Sequence, residues 1–232
     1  MNDWQLHPVT FRFQLSDWTL FMASLPMQVR IEELSNAVKP VERLLPPAVM
    51  PGEGSQGYSE YSLYFIYRWT AGRAADGVSW ETGFDVRPVE GAHFAASDAL
   101  MQEQTGYLGK ESLAFGCFVD GQLAGVCFYW FGERYKPRGF WPLAQGEAKL
   151  VHIIVSPAVR GRGVAPELIQ ASARGAMVDA GFSSLYARIW HSNGPSLRAF
   201  EKAGWLRTAF VLEFNPFRAK KPKRIQWNLV DR

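Results

Sequence analysis

The chain has few cysteines, little net charge and no long apolar run. Its 232 residues include two cysteines, and its formal net charge at pH 7 is +3. Proteins that bind nucleic acids usually carry a strongly basic face, so this small charge favours an anionic ligand over a nucleic-acid partner. The apolar runs are too short to cross a bilayer. We therefore expect no nucleic-acid partner and no membrane insertion.

The two cysteines lie on either side of Asp120-Gly121, a dipeptide typical of a two-residue hairpin turn. In such a hairpin Cys117 faces Ala124 and Cys127 faces Ala114, so the two thiols are out of register and we expect no disulfide. The candidate ligands are also too few for zinc, and we predict no metal site. We interpret both cysteines as small core residues.

The amino-terminal segment does not resemble a secretory signal. Charged residues at positions 3, 12 and 17 interrupt residues 1–25, whereas a signal peptide needs a continuous apolar stretch. We expect a cytoplasmic location.

Residues 1–80 predict a β-rich extension of unknown role. Alternating apolar residues over 9–15 and 61–69 predict half-buried strands, and Pro/Gly-rich stretches over 46–47 and 51–57 predict a loop or linker. The second strand carries an aromatic face, and we favour packing of this face on the rest of the protein over a substrate-binding wall. We place a second domain over residues 82–232.

The most informative stretch is residues 153–170. A run of β-branched residues ends at Ser156-Pro157, a Gly/Arg-rich turn follows, and apolar residues at helical spacing begin at Val164, which predicts strand, loop and helix. Gly161 and Gly163 allow the backbone to turn tightly and approach a ligand.

The start of this helix is a candidate phosphate site. The first N–H groups of a helix have no intrahelical acceptor and bind anions readily. Arg160 and Arg162 add positive charge at the rim of the turn. A plain strand-to-helix turn is the alternative interpretation.

The turn resembles the acetyl-CoA-binding signature of the GNAT acetyltransferases, Gln/Arg-x-x-Gly-x-Gly/Ala. Arg160, Gly163 and Ala165 occupy its three fixed positions. Residues 193–205 resemble the second motif of this family, in which an Asn follows a strand, a short helix carries an aromatic residue and Glu-Lys, and Gly-aromatic closes the segment. Two motifs in this order identify residues 82–232 as similar to the GNAT family.

The resemblance implies an α/β (α+β) fold with a mixed, mostly antiparallel sheet flanked by helices. Two parallel strands of this sheet splay apart, and acetyl-CoA, the implied cosubstrate, enters the gap. The implied cofactor-binding residues are Ile153, Ile154, Val155, Arg160, Gly161, Arg162, Gly163, Val164, Ala165, Asn193, Ser196 and Phe200. The residues alone leave another role open for Asn193, as the cap of a helix that begins near Ser196.

The remaining elements follow from periodicity and turn residues. The predicted strands are 83–89, 113–119, 123–131, 147–155, 183–190, 205–214 and 224–230, and the predicted helices are 90–104, 164–180 and a short one ending at Gly204. A second helix before residue 110 is expected to be short or absent. In the strand 147–155, simple alternation places Glu147, Lys149, Val151, Ile153 and Val155 on one face and His152 on the other.

The implied chemistry is direct attack of an amine on the thioester of acetyl-CoA. An alkylamine is mostly protonated at pH 7, so a general base assists the reaction. The candidates for this base, in falling order, are Glu147, His152, Glu133 and His191. Many family members protonate the leaving thiolate with a Tyr where this chain has Phe200, so Tyr135 or a water is the candidate replacement.

Two charged loops are further candidates. Residues 132–143 combine Pro, Gly, charges and aromatics, and they either line the acceptor site or form a solvated connection. Basic residues over 218–224 either hold an acidic acceptor or the ribose phosphate of the cofactor, or form a solvated turn.

The leading hypothesis is an N-acetyltransferase that acts on the primary amine of a small molecule, such as an amino sugar, an amino acid or an antibiotic-like amine. A protein lysine or amino terminus is an alternative acceptor. A non-catalytic acyl-CoA-binding regulatory module is a third hypothesis, suggested by Phe200 and the aromatic extension. The extension also provides a candidate homodimer contact.

Overall fold

The computed structural model describes residues 11–13, 59–70, 84–136, 142–215 and 223–229. The strands are β1 (Phe11–Phe13), β2 (Ser59–Thr70), β3 (Asp85–Pro88), β4 (Ser112–Val119), β5 (Gln122–Trp130), β6 (Glu147–Val155), β7 (Ser184–Trp190), β8 (Leu206–Asn215) and β9 (Lys223–Asn228). The helices are α1 (Gly91–Ala95), α2 (Ala99–Gln102), α3 (Gly132–Tyr135), α4 (Val164–Val178) and α5 (Gly194–Lys202), with 3₁₀ turns at Glu103–Tyr107 and Pro157–Val159.

The chain divides by its contacts into two units. The larger unit comprises residues 67–189 and 194–207, and the smaller comprises residues 1–66, 190–193 and 208–232. The predicted loop over 46–57 lies outside the described residues. The division into domains 1–80 and 82–232 stays a proposal.

The larger unit contains the strand order β3-β4-β5-β6-β7, followed by the last residues of β2. The pairs β3–β4, β4–β5 and β5–β6 are antiparallel, and β6 and β7 are parallel. In the smaller unit β1 pairs with β2, β2 lies beside β8, and β9 is antiparallel to β8. The predicted mixed, mostly antiparallel sheet with one parallel pair and flanking helices is confirmed.

The β4–β5 hairpin forms at the predicted turn but with a different register. Asp120 and Gly121 adopt φ values of 51° and 78°, the left-handed conformation that a two-residue turn of this kind requires. A β-bulge then shifts the pairing, so that Phe118 pairs with Leu123 while Cys117 pairs with Gly125.

The predicted cysteine partners are therefore wrong. Cys117 lies opposite Gly125, and Cys127 lies opposite Phe115. Both are free and buried, and burial raises the pKa of each thiol to about 12. They are core residues, as predicted.

The predicted single helix over 90–104 is wrong, because the segment is broken after α1. The Ser97 hydroxyl donates to the Phe94 carbonyl, at 2.6 Å, and the Asp98 side chain accepts from the Met101 N–H, at 3.0 Å. Asp98 is thus a side-chain cap that starts α2. The 3₁₀ turn Glu103–Tyr107 follows, so every helical piece before residue 110 is short.

The core of the larger unit lies on both sides of β4 and β5. On one side, a cluster joins α1 and α2 to the sheet; it contains Val89, Phe94, Met101, Ala114, Phe118, Leu123, Val126 and Phe128. On the other side, α4 buries Leu168, Ile169 and Ala173. No helix in the described part of the chain has the length and apolarity to cross a membrane.

Candidate active site

The parallel strands β6 and β7 are paired over only part of their length. Their register runs from Glu147 opposite Ser184 to Leu150 opposite Ala187. Within the described residues, β6 continues to Val155 with antiparallel pairing to β5 only, up to Gly125 opposite Val155. The carboxyl half of β6 therefore has one edge that is not paired with β7, as the predicted splay requires.

A 3₁₀ turn and two left-handed glycines connect β6 to α4. Gly161 and Gly163 have φ values of 80° and 90°, and a Cβ atom at either position would meet no atom of the described residues within 4 Å. Glycine is favoured at both positions by the positive φ, because the space around them would admit a side chain. The space beside each of them is open to a ligand.

The first turn of α4 adds main-chain donors at this point. The Glu167 N–H donates to the Gly163 carbonyl at 3.3 Å, and Pro166 has no N–H. The N–H groups of Val164 and Ala165 precede the first intrahelical bond, so they have no acceptor within the helix. The predicted order of strand, loop and helix is confirmed, with the helix beginning at Val164.

The two arginines of the turn are exposed. Arg160 is tied to the end of β6, because its Nε donates to the Val155 carbonyl at 3.3 Å. Arg162 lies between the two left-handed glycines. The turn between β6 and α4 thus carries two positively charged side chains.

A β-bulge in β6 changes which side chains share a face. Phe128 pairs with His152, whereas the next residue, Tyr129, pairs with Leu150, so Val151 is the extra residue. Lys149, opposite Trp130, therefore shares a face with His152. The predicted alternation, which separates these two residues, is wrong beyond Leu150 because the bulge inserts one residue.

His152 lies in the half of β6 that pairs with β5 but not with β7, and it is half-buried. Its Nε2 is 2.9 Å from Oε1 of Gln104. Its ring stacks on Tyr107 with a centroid separation of 4.3 Å and an interplanar angle of 8°. Gln104 and Tyr107 both belong to the 3₁₀ turn Glu103–Tyr107.

Glu147 lies at the start of β6, where the strand is still paired with β7. Its Oε2 accepts from the Ala144 N–H at 2.8 Å, and its Oε1 accepts from the Tyr186 hydroxyl at 3.1 Å. Burial and the Glu147 carboxylate raise the pKa of Tyr186. Both oxygens of Glu147 are thus engaged with the protein.

Lys149 is a buried cation that sequence reasoning did not single out. It is 8% exposed, and its Nζ lies 5.4 Å from the ring centroid of Tyr135, which is 3% exposed. The sequence signal for Lys149 is a lysine within an otherwise apolar strand.

The role of Tyr135 as an acid stays a prediction.

The two remaining base candidates have other contacts. Glu133 is exposed and forms an ion pair with Lys136. His191, in the smaller unit, has its Nδ1 3.2 Å from the Leu63 carbonyl, which also accepts the His191 main-chain N–H at 3.1 Å. The roles of Glu133 and His191 as general bases stay predictions.

The second motif contains α5, which begins at Gly194 rather than near Ser196. Phe200 is 2% exposed and packs between Tyr67 and Trp205, with centroid separations of 5.7 and 5.1 Å. The predicted contact between Phe200 and the cofactor stays a prediction. The roles of Asn193 and Ser196 stay predictions.

The two charged loops lie partly outside the described residues. Of residues 132–143, the first four form α3, and residues 137–141 are not among those described. Of the basic residues in 218–224, Arg224 donates to Glu213 at 2.8 Å. Among the described residues, no cluster of three or more His, Cys, Asp or Glu side chains has an arrangement that would hold a metal.

The sequence profile of the acetyltransferase (GNAT) family matches residues 64–205. Similar solved structures include an IAA acetyltransferase from Bacillus cereus, with 14% identity, a TM-score of 0.37, and coverage of 51% of this chain and 74% of that one. A ribosomal-protein-alanine N-acetyltransferase from Brucella melitensis has 22% identity, a TM-score of 0.38, and coverage of 51% and 89%. An aminoglycoside N-acetyltransferase solved with CoA has 20% identity, a TM-score of 0.38, and coverage of 53% and 92%. No curated protein sequence matches the chain.

Proposed function

Because the chain belongs to the GNAT acetyltransferase family, an acyltransferase family with acetyl-CoA as cosubstrate, we propose that it acetylates the primary amine of a small molecule. Amino sugars, amino acids and antibiotic-like amines are the acceptor classes. The observation that carries the proposal is the end of β6–β7 pairing at Leu150 and Ala187, followed by an open glycine turn into α4.

The cofactor site that we propose has two parts. The diphosphate of acetyl-CoA binds the N–H groups around Gly163, Val164 and Ala165, where a helix start attracts anions. The pantetheine arm follows the main chain of Ile153 and Val155, whose strand edge is not paired with β7. A hydrogen bond from a main-chain N–H group to a charged diphosphate oxygen contributes about 1.5–3 kcal/mol.

We assign the general base to His152 ahead of Glu147. His152 lies in the part of β6 that has separated from β7, next to the proposed pantetheine contacts, whereas Glu147 lies in the paired part. Both Glu147 oxygens already accept protein hydrogen bonds. A histidine titrates near neutral pH, which suits a base that operates at pH 7.

A small acceptor fits the surroundings of His152. The residue is half-buried and covered by Tyr107, and Gln104 beside it is 8% exposed. A small amine reaches such a recessed group more easily than a lysine on the surface of a folded protein does. We therefore favour a small molecule over a protein acceptor.

Release of free thiol from acetyl-CoA in the presence of a panel of small amines tests the proposal. We expect turnover with at least one class of amine and mass-shifted product. Acetylation of proteins or peptides alone would replace the small acceptor with a protein one. Binding of acetyl-CoA without thiol release from any acceptor would indicate a regulatory module.

A further inference from the structure

Gln104 determines which nitrogen of His152 carries a proton. The Gln104 Nε2 donates to the Leu100 carbonyl at 2.8 Å, and because a carbonyl can only accept, the atom facing Leu100 is the amide nitrogen. The atom facing His152 Nε2, at 2.9 Å, is therefore the amide oxygen. An oxygen of this kind only accepts, so Nε2 of His152 is the protonated nitrogen.

The neutral imidazole then has its lone pair on Nδ1. A histidine has two distinct nitrogens, and the hydrogen bond made by one decides the chemistry of the other. Stacking on Tyr107 restrains the plane of the ring. The position of Nδ1 is thus defined by two side chains from a single 3₁₀ turn.

This turn is itself held on both sides of Tyr107. The Tyr107 carbonyl accepts from the Trp130 indole N–H at 3.0 Å. The Arg134 guanidinium donates to the Gly106 and Leu108 carbonyls at 3.1 and 2.8 Å, and it stacks over Trp130 at 4.5 Å. Gln104 therefore contacts His152 from a 3₁₀ turn whose main chain is held by Trp130 and Arg134.

We propose that Gln104 is a positioning residue that holds His152 in the Nε2–H tautomer and presents Nδ1 as the basic nitrogen to the acceptor amine. The proposal rests on the proposed function. In the reaction the amine nitrogen forms a bond to the acetyl carbon, the C–S bond breaks, and Nδ1 takes the proton that the amine loses. The thiolate of CoA then takes a proton from the imidazolium or from water.

Several of the described groups around His152 bear on the expected pH response. From the 3₁₀ turn, Tyr107 is the titratable group stacked on the ring, Gln104 is neutral, and Glu103 is exposed. From β5, Phe128 is neutral. From β6 itself, Lys149 shares the face of His152.

The test compares Gln104→Leu with Gln102→Leu. Gln102 is exposed and donates to the Ser97 carbonyl at 2.8 Å, so it is a control with the same chemical change two residues away. Two-bond ¹H–¹⁵N spectra of the imidazole report the tautomer without any assay of activity. We expect the Nε2–H form in the wild type and in Gln102→Leu, and a mixture of tautomers in Gln104→Leu. The Gln104→Leu variant is also expected to lose about tenfold in kcat with an unchanged KM for acetyl-CoA.

A second variant, Gln104→Glu, keeps an acceptor beside Nε2 and adds a negative charge. A carboxylate at this distance stabilises the imidazolium, so we expect activity to persist with the acid limb of the kcat/KM profile moved to higher pH by about one unit. An unchanged tautomer in Gln104→Leu, or an unmoved acid limb in Gln104→Glu, would overturn the proposal. Full turnover in His152→Gln would instead remove the base role from His152, which is a failure of the proposed function.

Discussion

Leu150 of β6 pairs with Ala187 of β7, and this is the last paired position of the two parallel strands. Both strands continue past it, β6 to Val155 and β7 to Trp190. The main chain of β6 beyond Leu150 is thus left with one edge that β7 does not cover. The proposed cofactor site depends on this edge and on the glycine turn that follows it.

Gly163→Ala should weaken acetyl-CoA binding at least tenfold. The methyl group would enter the open space beside the turn, where we place the diphosphate, and it would strain a backbone with φ of 90°. Gly121→Ala is the matched control, because Gly121 has φ of 78° and equally open surroundings but lies in the β4–β5 turn. Calorimetry should show unchanged affinity for the control. Equal losses in the two variants would mean that strain alone accounts for the effect.

Arg162→Gln should weaken acetyl-CoA binding severalfold, and the loss should shrink as salt is added. The side chain is exposed, so its attraction to the cofactor phosphates is screened by ions. Lys110→Gln removes the same charge at another exposed position and should leave binding unchanged. Titrations at low and high ionic strength measure both effects. A loss independent of salt would argue against a charge contribution from Arg162.

His152→Gln should lower kcat by about 10²-fold or more, the usual contribution of a general base. Glu147→Gln should have a smaller effect, because Glu147 lies in the paired part of β6 with both oxygens engaged. The wild-type rate should rise with pH as His152 loses its proton, and this acid limb should be absent in His152→Gln. Steady-state rates between pH 5 and 9 distinguish the two residues. A larger loss in Glu147→Gln would transfer the base role to Glu147.

The two thiols should resist alkylation in the folded protein. Burial raises the pKa of Cys117 and Cys127 from 9.0 to about 12, and only the thiolate reacts. At pH 8 we expect modification of both thiols in urea and of neither without it. Mass spectrometry after brief exposure to iodoacetamide counts the labels. Rapid labelling of the native protein would show that β4 and β5 open readily.

The same shift gives a pH dependence of stability. Above pH 9 the unfolded chain releases its thiol protons while the folded protein retains them, so the free energy of unfolding should fall as pH rises from 9 towards 12. Below pH 9 these thiols do not make the free energy of unfolding depend on pH. Urea unfolding midpoints measured at pH 8 and pH 10 test this sign. The double substitution of both cysteines by Ala should reduce the difference.

Local patterns predicted most of the elements around the candidate site. The β-branched run, the glycine turn and the helical spacing after Val164 locate β6 and α4 correctly, because these signals are short-range. The two β-bulges were not predictable, since each depends on a neighbouring strand. One bulge changes the cross-strand partner of Cys117 to Gly125, and the other brings Lys149 and His152 to one face of the sheet.

The helical region before β4 shows a second limit of prediction from sequence. Asp98 starts a new helix through its side chain, and a cap within a helical pattern competes with continued helix. The contact between Gln104 and His152 joins residues 48 positions apart, so no local pattern indicates it. The resemblance supplied the candidate cofactor turn and the expected chemistry, whereas the surroundings of His152 required the structure.

A crystal structure of the protein with bound CoA tests the central claim most directly. The account predicts that the diphosphate oxygens lie within hydrogen-bond distance of the main-chain N–H groups at Gly163, Val164 and Ala165, with the pantetheine arm along β6 beyond Leu150. A diphosphate bound elsewhere, or β6 and β7 closed on each other past Leu150 and Ala187 in the complex, would contradict it.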